Sequence, residues 1–280
     1  MKSVTPSLTK ARFRLVVALL ALSVLVPAVL AAAQYPRYWV WIAPELTPMT
    51  WIQTVFLVLA ASASALAAVV GRLRGWSRGA RLVHWLLAAG MVYLALDDRF
   101  AVHERIRDRV LAPRDIRIPG LSWLAPGDFQ MLFVAIAGLI FLPFVLRALR
   151  ADTTALVLFC LGALTAAIAI GMDTIDPATM PMTVERLEQT IEECLELVAD
   201  ALFLAALGVR VLGLIGELAD SAPGSGPTRT VAEPTRASTP ASPTSGPGSL
   251  DTPASALDAD PAGPSRSAET AESPDFAIAR

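Results

Sequence analysis

Cysteine is nearly absent from the 280-residue sequence: there are two, Cys160 and Cys194, with no CxxC and no cluster of Cys with His. A disulfide scaffold and a zinc ribbon are therefore excluded. Charge is scarce as well, 17% of residues against 54% hydrophobic, with a mean hydropathy of +0.55. A water-facing domain carries about a quarter charged residues, so this composition points to lipid. Neither sign dominates, with 23 basic and 25 acidic residues. A nucleic-acid partner, which demands a strong basic excess, is excluded. Histidine occurs only as His84 and His103.

What is present in excess is apolar sequence, gathered before residue 221. Six runs stand out, Phe13–Ala33, Ile52–Val70, Leu82–Leu96, Met131–Leu146, Ala155–Met172 and Ile191–Val211. A helix rising 1.5 Å per residue needs about 20 residues to cross about 30 Å of hydrocarbon. The expected fold is all-α, a six-helix transmembrane bundle over residues 1–220 with spans at about 13–33, 52–70, 82–102, 129–147, 154–172 and 191–211. Residues 221–280 are rich in Pro, Ser, Thr, Ala and Gly, with four arginines against seven acids. Such a segment buries too little surface to offset chain entropy and is expected to be a disordered cytoplasmic tail, either an arm for a cytoplasmic partner or an unconstrained extension. No repeat of fixed period occurs.

Sidedness follows from the short loops. Lys2, Lys10, Arg12 and Arg14 precede the first run, Arg72, Arg74, Arg78 and Arg81 separate the second from the third, and Arg147 and Arg150 separate the fourth from the fifth. The positive-inside rule places these on the cytoplasmic face, with both termini inside, in the inner (plasma) membrane. Gln34–Trp51, with five aromatic rings and only Arg37, reads as an outer interfacial loop. Residues 97–118 carry six arginines yet fall outside by alternation. The first run, with Pro27 and Ala31-Ala32-Ala33 before Gln34, also fits a secretory signal; as an anchor it is long enough to span.

Carboxylates interrupt the apolar pattern at two places. The third helix, expected to run unbroken to about Pro113, carries Asp97, Asp98, His103 and Glu104 at its outer end, with Asp97, Ala101 and Glu104 on one face. In the sixth, Glu185, Glu188, Glu192, Glu196 and Asp200 follow spacings of three and four, with Glu193 beside them. Lipid does not accept such a stripe, so it must face protein, water or a cation. Depth along the helices brings Asp97 and Asp98 level with Glu192 to Asp200, near Asp128, Gln130, Asp173 and Asp176. The alternative is a solvated surface in which Glu104 pairs with Arg107 and Arg105 with Asp108, and Glu185 and Glu188 favour a helix N-terminus.

The expected metal ligands are thus Asp97, Asp98, His103, Glu104, Glu192, Glu193 and Glu196. A neutral His103 nitrogen beside carboxylates favours zinc, iron or manganese over calcium. His103 and Glu104 are the candidate catalytic pair of a metal-dependent membrane hydrolase, in which a carboxylate takes a proton from metal-bound water. A proton- or cation-coupled carrier and a non-catalytic scaffold that binds a partner remain the alternatives. No HExxH, Glu-x-x-His or EF-hand loop is present. His84, near Arg81 and Trp85, reads as interfacial, and Ala60, Ser64 and Ala68 as a packing stripe.

LDDRFAVHE followed by IEECLEL resembles a group of uncharacterised bacterial multi-pass membrane proteins bearing an acidic pair, a His-Glu pair and a downstream Glu-Glu-x-x-Glu. The resemblance covers these two segments and the hydropathy between them and implies no activity. Membrane-embedded ceramidase-like hydrolases are a more distant comparison. They use several histidines at their metal, which two histidines cannot supply.

Overall fold

The computed structural model describes residues 6–116, 118, 129–173 and 181–220, and all regular structure among them is helical. The elements are α1 (Pro6–Ala33), α2 (Pro48–Leu73), α3 (Arg78–Phe100), α4 (Val102–Ile106), α5 (Phe129–Leu149), α6 (Thr153–Asp173) and α7 (Met182–Ala219). Among the described residues, six of these, all but α4, are long and apolar enough to cross a membrane. The expected tail over 221–280, and Arg117, Asp128 and Asp176, lie outside the described residues.

Local chemistry sets several boundaries. Pro48 opens α2 at the first helical position, where its missing N–H has no partner to lose. Gly75, at φ 73°, turns the chain out of α2 so that the Trp76 amide donates to the Gly71 carbonyl at 2.9 Å. The Ser77 hydroxyl accepts from the Ala80 amide at 3.3 Å to start α3, and Asp152 Oδ1 accepts from the Ala155 amide at 3.2 Å to start α6.

α7 is the axis of the fold. It packs against α1, α2 and α6 and is buried along most of its length, through Leu197, Ala201, Ala205, Leu207, Val209 and Leu214. A helix enclosed on several sides needs small neighbours. Gly162 of α6 supplies one, since a Cβ there would stand 3.0 Å from the Phe203 ring. The stripe Ala60, Ser64, Ala68 on α2 is fully buried, and the Ser64 hydroxyl donates to the His84 carbonyl of α3 at 2.8 Å.

The expected span at about 191–211 lies within α7, which runs for 38 residues from Met182 to Ala219. One expectation needs correction. The third helix does not run unbroken to Pro113. It ends at Phe100, Ala101 adopts a left-handed conformation (φ 46°, ψ 51°), and the chain restarts as α4 before a π-helical turn over Arg107–Leu111. No Gly or Pro marks this break, so nothing in the helical pattern announces it.

The basic segments gather at one end of the bundle. Arg12 of α1 pairs with Asp152 between α5 and α6, and Arg74 after α2 pairs with Glu217 of α7. The opposite end holds the segment between α1 and α2, α4, the end of α6 and the start of α7, which together build the acidic site.

Candidate functional site

At that opposite end lies a cavity of about 310 Å³. Its wall carries six carboxylates, Glu45, Glu104, Asp173, Glu192, Glu193 and Glu196, with His103 and Gln189, and no Lys or Arg among the lining residues. Four separate segments contribute. The segment between α1 and α2 is held against α7 by the Arg186 guanidinium, 4.1 Å over the Trp39 ring, and by the buried Ile42. That placement aims Glu45 into the cavity.

The break at Ala101 makes the second contribution. It folds His103 back onto α3, where its amide donates to Asp97 Oδ1 at 2.8 Å and its Nδ1 lies 2.9 Å from Asp97 Oδ2. Residues six apart on an unbroken helix lie on different faces. The left-handed residue thus converts a helical periodicity into an acid–imidazole pair. Gln130 of α5 donates to the His103 carbonyl at 2.7 Å and steadies it from a third helix.

Gln53 of α2, fully buried, is the third device. Its Nε2 donates to the Glu193 carbonyl at 3.1 Å and to Glu193 Oε2 at 3.0 Å, with Glu196 Oε2 at 3.4 Å. One amide thereby fixes the orientation of two α7 carboxylates.

Of the seven expected ligands, His103, Glu104, Glu192, Glu193 and Glu196 line the common cavity. Asp97 stands behind His103, with both oxygens engaged. Asp98 does not line the wall but lies within charge–charge range of Glu45, Asp97 and His103, and of Asp200 deeper on α7. Glu104 is paired with Arg107 at 3.2 Å, as the solvated alternative anticipated; Arg107 also takes Asp108 at 2.9 Å, in place of the Arg105–Asp108 pair. Among the described residues no three His, Cys, Asp or Glu side chains are arranged to hold a metal ion.

Two groups outside the apolar helices show the electrostatic state. Burial, with Glu104 and Glu196 adding repulsion, pushes the Glu45 carboxyl up to about 7. Burial alone would lower the pKa of His103, but the hydrogen bond and charge of Asp97, with the charges of Asp173 and Glu45, outweigh it and raise His103 to about 9.

The description that fits the chain over residues 9–211 is a domain of unknown function, DUF8692. The chain belongs to this DUF8692 family. The match runs from within α1 to within α7, takes in every residue of the acidic wall, and ends before residues 212–280. No curated protein and no solved structure matches the chain.

Sequence reasoning did not find Glu45 or Gln53, although this DUF8692 chain builds its site on both. Glu45 is the one acid in the aromatic segment between α1 and α2, and Gln53 an amide inside the apolar run MTWIQTVF. A polar side chain isolated in apolar sequence was the available signal in each case. His84 is corrected in the other direction. It is not interfacial but 1% exposed, stacked at 5.4 Å on Trp76, because Trp76 folds back over the end of α2.

Proposed function

We propose that the chain is a polytopic membrane protein with cytoplasmic termini, whose acidic cavity opens outside the cell and holds a divalent cation. The observation that carries this reading is a wall of six carboxylates and one imidazole with no Lys or Arg lining it, Arg107 reaching the wall only at Glu104. At low dielectric such a set cannot ionise together without a positive partner. The Asp97–His103 pair supports it further. A metal-ligating imidazole commonly gives its other nitrogen to a carboxylate, which fixes tautomer and ring orientation. His103 Nε2 would then be the nitrogen ligand, with Glu45, Asp173, Glu192 and Glu196 as oxygen donors and Asp97 as the orienting group. This donor set suits zinc, iron or manganese. The rotatable stems of the glutamates allow them to close on an ion from their present positions.

Elemental analysis of the detergent-purified full chain, with thermal unfolding before and after chelation, tests the reading. The wild type should retain a divalent metal and lose stability with EDTA, while Glu192→Gln/Glu196→Gln should lose the metal and the EDTA effect. At a free metal concentration of 100 times Kd the bound ion stabilises by about 2.7 kcal/mol. A wild type that is metal-free and indifferent to zinc and manganese overturns it, leaving protons as the neutralising species.

A hydrolytic use of the cation is the finer reading, in which Glu104 beside His103 takes a proton from metal-bound water. Its mark is Glu104→Gln retaining metal while losing turnover. Asp200, buried and within charge range of Asp98 and Glu196, favours a carrier as the second reading, because it extends the acidic path inward.

A further inference from the structure

At the basic end a second cavity of about 480 Å³ opens between α3, α5 and α7. Arg147, Arg150 and Arg210 line it, and no acidic residue does. Arg210 is 5% exposed, and its Nε has no hydrogen-bond partner. Its carboxylate neighbour, Glu217 at 3.8 Å, is shared with Arg74. The Nε is shielded from the cavity and the guanidinium lies 5.4 Å over the Trp76 ring, but three arginine charges on one cavity wall without an acid attract an anionic occupant. Arg147 and Arg150 are exposed and have no ion pair among the described residues. The first turn of α3 also borders the cavity, and the positive end of its helix dipole adds to the field of the arginines.

The remaining wall is apolar. Val83 and Phe144 line the cavity, and one turn deeper on each helix Leu86 and Ile140 are 49% and 67% exposed. Charge at the mouth and two exposed apolar tracks below it match a molecule with an anionic head and hydrocarbon chains. We propose that this cavity holds the phosphate headgroup of an anionic phospholipid against Arg147, Arg150 and Arg210, its chains running along α3 and α5. The proposal rests on the membrane reading above and is independent of the cation.

The full chain in detergent is titrated with phosphatidylglycerol, phosphatidylcholine or inorganic phosphate while thermal unfolding is followed. Phosphatidylglycerol should raise Tm saturably, and Arg147→Gln/Arg150→Gln should need at least tenfold more of it for the same shift. Both residues are exposed, so the variant's Tm without lipid should match the wild type. If the pair fails to fold, Arg150→Gln alone should raise the requirement at least threefold. Equal shifts from phosphatidylcholine, an equal shift from inorganic phosphate, or an unchanged requirement in the variants would each overturn the assignment.

Discussion

At Ala101 the chain accepts a left-handed backbone, which costs an L-residue about 1–2 kcal/mol, and the two bonds from His103 to Asp97 offset it. Ala101→Gly should therefore fold at least as well as the wild type. Ala101→Val, β-branched at positive φ in a buried position, should lose about 2 kcal/mol or more, read by thermal unfolding in detergent. The same pair sets a pH dependence. The folded pKa of His103 lies above its ordinary value of 6.5, so the stability it contributes is complete below about 6.5 and lost as pH rises through about 9. Glu45, raised from 4.5 to about 7, acts in the same direction over the lower window. With EDTA present, stability should fall between about pH 4.5 and 9, and Asp97→Asn should flatten the upper part; a rise with pH would contradict both assignments. Little of this arrangement was legible in the sequence. Spacings of three and four found the α7 carboxylates because α7 is unbroken, but they could not find Asp97–His103, which depends on one backbone angle, or Glu45, which reaches the site across the fold.

The long helices were far more legible, because each is longer than a turn and its apolar excess is averaged over many residues. Their ends were less so: α7 extends beyond the apolar run 191–211 on both sides, and its charged first turns, legible only through the spacing of Glu185, Glu188 and Glu192, are held by Arg186 over Trp39. Tight contacts between helices were invisible for a different reason, since they depend on which neighbour faces a small residue. Gly162 against Phe203 is such a contact, and Gly138 of α5 has nothing within 4 Å of a Cβ position. Gly162→Leu should cost about 1–3 kcal/mol through overpacking, while Gly138→Ala should be neutral or better. Gly71 is more demanding, because a Cβ there would collide with the Trp76 ring. Gly71→Ala should displace Trp76 from His84 and alter the basic cavity without touching the acidic one.

Among the described residues the carboxylate-lined cavity and the arginine-lined cavity occupy opposite ends, and the sidedness proposed above has a direct check. In a background lacking Cys160 and Cys194, Arg105→Cys should react with an impermeant maleimide in intact cells, and Arg78→Cys only after lysis; both positions are exposed. The reverse pattern would invert the protein. Removal of residues 221–280 should leave Tm within a few degrees of the full chain, since that composition has no apolar face to contribute. The acidic stripe itself has an electrical meaning. Glu192 and Asp200 are separated by about 12 Å along α7, roughly 0.4 of a hydrocarbon thickness of about 30 Å. A monovalent charge moving inward between them would do about 0.9 kcal/mol of work in a potential of 100 mV, at about 2.3 kcal/mol for the full crossing. In the orientation proposed above, with the interior negative, resting voltage alone would raise occupancy of the Asp200 level about fivefold relative to an unpolarised membrane, so the energised state of the cell would be read at Asp200.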